Sequence, residues 1–242
     1  MGLQSGAVRA YDVDRSRVLW TAPECHEGGV ASLGFSVADG GRFFTCGPDA
    51  RVAGLSATSG DTAVQFQAGS RGLTAVSASP DGSRILAASS SVAIYAADGT
   101  RTSKFTGHPN PACAAAFSPD GAYAVSAASG ELSALVWDSF RRKGGALCAL
   151  PLPAPAMRVF TSPLPNQSEA FACGVITEAG ELLVFRVEPG AGQVRPPRRS
   201  LGASRVSVGP TAPVKGCVSD TAHRCTSWRT SRGRRGRRAA RA

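Results

Sequence analysis

Residues 104–138 read KFTGHPNPACAAAFSPDGAYAVSAASGELSALVWD, and the rest of the chain repeats the pattern of this stretch. Gly107-His108 stands near its start and Trp137-Asp138 at its end. Between them, two runs alternate in polarity as half-buried strands do. The turn Ser118-Pro119-Asp120-Gly121 separates these runs, and its proline presets φ for a tight turn. The stretch therefore predicts short antiparallel strands joined by tight turns.

Two markers of this stretch recur along the chain at nearly one period. A large hydrophobic residue closes a short β-rich run at intervals of 44, 40, 42 and 48 residues, at Tyr11, Leu55, Tyr95, Trp137 and Phe185. The turn recurs at residues 37–40, 79–82 and 118–121, which places its aspartate at Asp39, Asp81 and Asp120. A repeat of about 40–45 residues made of short strands is typical of a radial β-architecture.

The Gly-His and Trp-Asp pairs at this period resemble the WD40 repeat, in which each repeat is one four-stranded blade of a β-propeller. The resemblance implies an all-β, WD40-type β-propeller. Blades are expected at residues 30–67, 73–105 and 112–150, with part of a fifth at 157–187 and the second half of one at 6–21. WD40 rings most often have seven blades. We therefore expect an incomplete propeller of about four to five blades, from a fragment or an incomplete gene model.

The WD40 family also uses a hydrogen-bonded set inside each blade: a loop His, a strand Ser or Thr, a turn Asp and the strand Trp. In the central blade the resemblance assigns these structural places to His108, Ser126 and Trp137, with Asp138 after the Trp and Glu131 where the family has Asp. In an earlier blade it assigns them to His26, Thr45 and Asp49, with Leu55 in place of the Trp. The remaining blades lack most of the set, so we expect them to depend more on core burial.

The net positive charge of the chain comes from its C-terminal part. Residues 195–242 hold 13 of the 27 Lys and Arg residues and one of the 17 Asp and Glu residues, a net charge of +12. The remaining 14 basic and 16 acidic residues give residues 1–194 a net charge of −2. We therefore divide the chain into a partial WD40 β-propeller at residues 1–190 and a disordered Arg/Gly/Pro-rich tail at residues 191–242.

The tail has three interpretations. Its terminal arginines are candidates for contact with a polyanion such as RNA, namely Arg232, Arg234, Arg235, Arg237 and Arg238. The second interpretation is a disordered end without a role. The third is a gene-model artefact, because Arg, Gly, Ala and Pro are encoded by G/C-rich codons and a retained intron or shifted frame would have this composition.

The residue patterns do not indicate catalysis, a cofactor or a metal. The sequence contains no Gly-rich phosphate loop, His-x-x-x-His pair or Gly-x-Ser-x-Gly elbow. Cys217, His223 and Cys225 lie close together without the second pair of a zinc site. Seven irregularly spaced cysteines favour a reducing compartment over a disulfide framework. No apolar run is long enough for a membrane helix. We expect no enzyme activity, cofactor, metal site or membrane partner.

A second resemblance concerns residues 6–187. The order of features in this range is similar to that in the propeller of WD-repeat proteins in the UtpA (t-Utp) group of the U3 small-subunit processome. KFTGH after VAIYAADGT, then LVWDSF and GVITEAGELLVFRV, carry this resemblance. It implies a non-catalytic scaffold in pre-rRNA transcription and processing, in the nucleus and nucleolus, with protein partners in a multi-subunit complex that contains pre-rRNA and the U3 ribonucleoprotein. The alternatives are a WD40 adaptor of a ubiquitin ligase or chromatin complex, a cytoplasmic location, and RNA binding through the tail.

Overall fold

The computed structural model describes residues 1–36, 38, 41–165, 167–188 and 193–195, and all regular secondary structure in these ranges is β-strand. The strands are β1 (Val8–Asp12), β2 (Arg17–Ala22), β3 (Ser32–Ser36), β4 (Arg42–Cys46), β5 (Arg51–Ser56), β6 (Thr62–Gln67), β7 (Ala75–Ala78), β8 (Arg84–Ala88), β9 (Val92–Ala96), β10 (Arg101–Phe105), β11 (Ala112–Phe117), β12 (Tyr123–Ala128), β13 (Ser133–Asp138), β14 (Lys143–Gly144), β15 (Cys148–Pro151), β16 (Ala156–Leu164), β17 (Gln167–Thr177), β18 (Leu182–Glu188) and β19 (Gln193–Arg195). No helix in the described residues is long and apolar enough to cross a membrane. The all-β prediction is confirmed.

The strands form one two-stranded sheet followed by four repeated sheets. β1 pairs with β2 in the first sheet. Blade I contains β3–β6, blade II β7–β10, blade III β11–β13 with β15, and blade IV β16–β19. Each blade is antiparallel and keeps its four strands in chain order. Four blades and a two-stranded sheet agree with the predicted four to five blades.

The first strands of successive blades lie side by side. The backbone nitrogen of Val76 in β7 donates to Ser32 Oγ in β3 at 3.3 Å. The backbone nitrogen of Phe117 in β11 donates to Ser77 Oγ in β7 at 3.4 Å. Thr161 Oγ1 in β16 donates in turn to the carbonyl of Phe117 at 2.5 Å. The same step therefore relates each blade to the next, as around the centre of a propeller.

The hydrophobic core lies between the sheets rather than in one centre. Separate clusters join the β1–β2 sheet to blade I, blade I to blade II, blade II to blade III, and blade III to blade IV. The largest buried side chains include Phe44, Ile85, Trp137 and Phe185. Because successive strand residues point to opposite faces, a blade with both faces apolar needs a neighbour on each side.

The Ser-Pro-Asp-Gly turns of blades II and III form as the sequence predicts. Ser79 Oγ donates to Asp81 Oδ1 at 2.5 Å, and Ser118 Oγ makes the same bond to Asp120. The glycine that follows each aspartate has a φ of 71°, which favours glycine over other residues. The corresponding turn at residues 37–40 lies largely outside the described residues.

The hydrophobic residues that mark the period differ in burial. Four of them are buried, namely Leu55, Tyr95, Trp137 and Phe185. Tyr11, in contrast, is 44% exposed, and so is Val18, its partner across the two-stranded sheet. Within the described residues, no blade covers this face of β1–β2, whereas Trp137 in blade III packs on Phe105 of the preceding blade.

Two strands form where the sequence pattern predicted none. β19 pairs with β18 and completes blade IV, beyond the domain boundary expected at residue 190. β14 pairs in parallel with β10, so the connection within blade III crosses back to the edge of blade II. Strands of two or three residues show no readable alternation, which is why the pattern missed them.

Arg84 links blade II to blade III. Its guanidinium donates to Ser139 Oγ and to the carbonyl of Gly121, both at 2.8 Å. It also lies over the ring of Phe140, 4.3 Å from the ring centroid. Each hydrogen bond from a charged donor stabilises by roughly 1 kcal/mol or more. The cation–π contact adds roughly 0.5–1 kcal/mol, because Phe140 is exposed. The guanidinium of Arg84 therefore joins the two blades by hydrogen bonds at an otherwise apolar interface. We call these contacts the Arg84 tie.

We expect Arg84→Met to lower the free energy of unfolding by about 1–3 kcal/mol, because the methionine keeps an apolar stem but loses both donors. Urea denaturation followed by circular dichroism measures the change. Arg51→Met, at an exposed residue of β5, is the matched control and should change stability by less than about 0.5 kcal/mol. Equal losses in the two variants would show that the tie contributes nothing.

Candidate functional site

Blade III contains a buried chain of polar contacts. His108 Nδ1 lies 2.8 Å from Glu131 Oε2, and His108 Nε2 lies 2.8 Å from Ser126 Oγ. Trp137 Nε1 donates to the same Ser126 Oγ at 2.8 Å. An indole N–H can only donate, so Ser126 accepts from Trp137 and has its own proton to give to His108 Nε2. His108 Nδ1–H then donates to Glu131, and every polar atom of the set has a partner.

Blade I contains a second such set. His26 Nδ1 lies 3.0 and 3.1 Å from the two carboxylate oxygens of Asp49, and His26 Nε2 lies 2.8 Å from Thr45 Oγ1. Asp49 also accepts from the backbone nitrogens of Glu27 and Arg51, both at 3.2 Å. The structure therefore brings together the three residues that the resemblance assigned to this blade.

Two residues of the sequence-based set behave differently from the rest. Glu131 fills the place of the family's aspartate, since its Oε1 also accepts from the backbone nitrogen of Asn110 at 3.0 Å. Asp138 does not join the set. Its Oδ1 accepts from the backbone nitrogen of Phe140 at 3.0 Å and its Oδ2 lies 3.3 Å from Arg141 Nε, so it holds the turn after β13.

Gly107 explains why a glycine precedes the histidine in blade III. A Cβ atom at this residue would lie 2.7 Å from the ring of Trp137. Any other residue would therefore collide with the indole that closes the blade. The Gly-His pair and the Trp-Asp pair, 30 residues apart in the sequence, thus touch in space.

The Ser–His–Glu order in blade III has the residue types of a hydrolytic triad, but its surroundings oppose that chemistry. Ser126 is fully buried, and its oxygen already accepts a hydrogen bond from Trp137 Nε1. The side chains of His108 and Glu131 are only 4% and 12% exposed. A nucleophile must reach a substrate carbonyl, which this packing prevents. The two polar sets are structural ties.

The polar sets act at one rim of the fold. The upper rim consists of two sets of segments. The first is the loops that enter blades I–IV, at residues 23–31, 68–74, 106–111 and 152–155. The second is the turns between the second and third strands of each blade, at residues 47–50, 89–91, 129–132 and 178–181. These segments lie at one end of an up-and-down sheet. The His26–Asp49 and His108–Glu131 pairs each join a loop to a turn. The upper rim of blades I and III is therefore held in fixed geometry.

The described residues contain no group of three or more His, Cys, Asp or Glu side chains that could hold a metal ion. Cys217, His223 and Cys225 lie outside the described residues, as do the five arginines of the tail. The five cysteines in the described ranges are free thiols. Burial raises the pKa of Cys46 and of Cys173 to about 12, so these thiols are unreactive in the folded protein.

In the folded protein at pH 8, iodoacetamide is expected to modify Cys46 and Cys173 roughly a thousandfold more slowly than an unperturbed thiol, because alkylation needs the thiolate. Peptide mapping by mass spectrometry after timed quenching measures each rate. Cys148 is half-buried, and its pKa is raised less far, so it should react sooner. All three should react alike in urea. Equal rates in the folded protein would contradict the burial.

Comparison with known proteins agrees with this geometry. Residues 99–138 match the family described as "WD domain, G-beta repeat". The fold is of the WD40 β-propeller type. The match covers the stretch from the turn before β10 to Asp138, which includes the polar set of blade III. No curated protein matches the sequence.

A solved structure, "Crystal structure of RRP9 WD40 repeats", is similar with a TM-score of 0.64 and 14% sequence identity. The likeness covers 81% of this chain, which spans 60% of that structure. At this identity the likeness shows the fold alone. Significant matches extend to 1337 solved chains, so the architecture by itself does not select a partner. WD40 repeats are generally non-catalytic and mediate contacts between proteins.

The sequence did not predict two features at the blade interfaces. One is the contact that Arg84 makes with blade III, and the other is a recess beside Arg101 and Lys104, between blade II and the loop that joins blade I to it. Arg84 begins β8, and Arg101 and Lys104 lie on the outer strand β10. No residue pattern in the sequence marked these three. Only the packing of one blade on the next brings them to an interface.

Proposed function

We propose that the chain is a non-catalytic scaffold in early assembly of the small ribosomal subunit, acting in the nucleolus. The observation that carries this proposal is the order of features over residues 6–187, which resembles the propellers of the UtpA group. Its partners are other proteins of a multi-subunit complex that also contains pre-rRNA and the U3 ribonucleoprotein. Scaffolding needs no cofactor.

The upper rim supports the general part of the proposal. Its loops are held by the His26–Asp49 and His108–Glu131 pairs, whose polar atoms point inward rather than toward a ligand. A rigid rim of this kind offers a fixed surface to a macromolecule. The alternative is an adaptor in a ubiquitin ligase or chromatin complex, which would use the same rim for a different partner.

Affinity purification of the tagged full chain from its source cell, with mass spectrometry and imaging, tests the proposal. Three chains are compared: the natural sequence, Trp137→Ala, and a tail variant in which Arg232, Arg234, Arg235, Arg237 and Arg238 are changed to Gln. The first variant disrupts blade III. The second removes five positive charges and leaves the propeller sequence unchanged.

The scaffold proposal expects U3 ribonucleoprotein components and a nucleolar signal with the natural chain and the tail variant, and their loss with Trp137→Ala. Recovery of a ligase or chromatin complex outside the nucleolus would overturn the assignment to ribosome biogenesis. Loss of the U3 components in the tail variant alone would assign the association to the arginines instead.

A second candidate function is RNA binding through the tail, favoured by the net charge of +12 in residues 195–242. Each phosphate contact contributes about −0.7 to the slope of log K against log salt for single-stranded RNA, so five contacts would give about −3.5. Fluorescence anisotropy with an RNA oligomer at several salt concentrations measures the slope. The tail variant should lose most of it, and an unchanged slope would exclude these arginines as the contacts.

A further inference from the structure

A recess opens between blade II and the loop that joins blade I to it, beside the upper rim. Its volume is about 130 Å³, and its lining is mostly polar. Ser70 comes from the loop that enters blade II, Ser89–Ser91 from the turn between β8 and β9, and Arg101 and Lys104 from β10. None of the lining residues is acidic. Two cations and several hydroxyls around one recess favour an anionic ligand.

A β-bulge places both cations on one face of blade II. In a regular strand, residues 101 and 104 would point to opposite faces, because they are an odd number of residues apart. The register shifts between Arg101 and Ser103, so Arg101 pairs with Tyr95 and Lys104 with Ala93. Tyr95 and Ala93 belong to the face that packs on blade I. Both cations therefore stand on the face of blade II that is turned toward blade I.

The protein does not neutralise these cations within the described residues. The side chains of Arg101 and Lys104 make no ion pair or hydrogen bond there, whereas Arg141 lies 3.3 Å from a carboxylate oxygen of Asp138. Two like charges beside one recess repel each other, and a bound anion would remove that repulsion. Both side chains are exposed, so they can turn toward a ligand.

The lining of the recess suits a phosphate group better than a nucleic-acid base. Its volume of about 130 Å³ leaves room for several water molecules or a small polar group in their place. Its one aromatic lining residue, Tyr95, is only 5% exposed, and its hydroxyl donates to the carbonyl of Ala68. The recess therefore offers no ring face for the base stacking that single-stranded nucleic acid uses.

We propose that this recess binds a phosphate monoester carried by a serine or threonine side chain of a partner protein. Arg101 and Lys104 supply the positive charge, and the Ser89–Ser91 turn supplies hydroxyl donors. A monoester carries a charge of about −1.5 to −2 at neutral pH and has three terminal oxygens, which matches two cations and several donors. The protein source of the phosphate rests on the proposed scaffold function, while the phosphate site rests on the recess alone.

The test is a titration of the full chain with N-acetyl-O-phosphoserine N-methylamide. The same compound without phosphate, inorganic phosphate and a poly(U) oligomer are titrated in parallel at one ionic strength. Calorimetry gives the affinity, and the amide signals of Ser89–Ser91 in NMR spectra locate binding. Arg101→Gln with Lys104→Gln removes the cations. Arg17→Gln with Arg51→Gln removes the same charge from two other strands, and the tail stays in every chain.

The phosphoserine compound is expected to shift the Ser89–Ser91 signals, and its unphosphorylated form is not. The recess variant should weaken binding by roughly tenfold or more, and the control variant by less than about twofold. Circular dichroism checks the fold, and Lys104→Gln alone replaces the recess variant if that variant unfolds.

Equal affinities of the recess variant and the control variant would overturn the site. Two other results would exclude a partner protein as the source of the phosphate. In the first, inorganic phosphate binds the recess and the phosphoserine compound does not. In the second, the recess variant loses affinity for poly(U) but not for the phosphoserine compound. None of these results depends on which complex the chain purifies with, so a failure here is distinguishable from a failure of the proposed function.

Discussion

Trp137→Ala is expected to lower the free energy of unfolding by about 3–5 kcal/mol. Trp137 is only 1% exposed. Its indole stacks on Phe105 with ring centroids 5.2 Å apart, and it meets the His108 ring edge-on at 6.0 Å. The substitution would leave a cavity between blades II and III and remove the donor that holds Ser126. Urea unfolding followed by far-UV circular dichroism measures the loss.

Tyr11→Ala is the matched control, because Tyr11 marks the same period in the sequence but is 44% exposed. Its removal should change stability by about 1 kcal/mol or less. If the two substitutions cost the same, burial between blades is not what makes Trp137 important. A loss below about 1 kcal/mol for Trp137→Ala would contradict the burial of Trp137 between blades II and III.

The difference between these two residues shows what the sequence can predict. A propeller repeats one local structure, so the spacing of Tyr11, Tyr95 and Trp137 and of the Ser-Pro-Asp-Gly turns was enough to predict strands, blades and their order. Burial depends on the neighbouring sheet rather than on the strand itself. The period therefore predicted that Tyr11 closes a strand but not that it is exposed.

The polar sets could be anticipated residue by residue, since a known repeat supplies the places of His108, Ser126 and Trp137. What the resemblance left open was whether Glu131 could replace an aspartate. In the structure the side chain of Glu131 is long enough to contact His108 Nδ1 and to accept a hydrogen bond from the backbone nitrogen of Asn110.

The recess beside Arg101 and Lys104 could not be predicted in the same way. Strand periodicity assigns residues 101 and 104 to opposite faces, and only a register shift puts Arg101 and Lys104 on the same one. A bulge here leaves no pattern in a five-residue strand. The Arg84 tie is hidden for a related reason, because its partners Ser139 and Gly121 lie 55 and 37 residues away.

Ser126→Ala is the second substitution for which we expect a large loss of unfolding free energy, about 2–6 kcal/mol. Ser126 is fully buried, and its oxygen is the shared partner of His108 Nε2 and Trp137 Nε1, each at 2.8 Å. An alanine leaves both ring nitrogens buried without a partner, and each such group costs about 1–3 kcal/mol. Urea unfolding of the single variant gives the total.

A double-mutant cycle with Trp137→Phe separates the two contributions. Phenylalanine has no N–H to satisfy, so Ser126→Ala should cost about 1–3 kcal/mol less in that background than in the natural chain. If the loss of the double variant equals the sum of the two single losses to within about 0.5 kcal/mol, the Trp137–Ser126 hydrogen bond contributes no coupling energy. In that case the His108 contact would account for the loss, and blade III would be held by the packing of Trp137 and by the histidine pair alone.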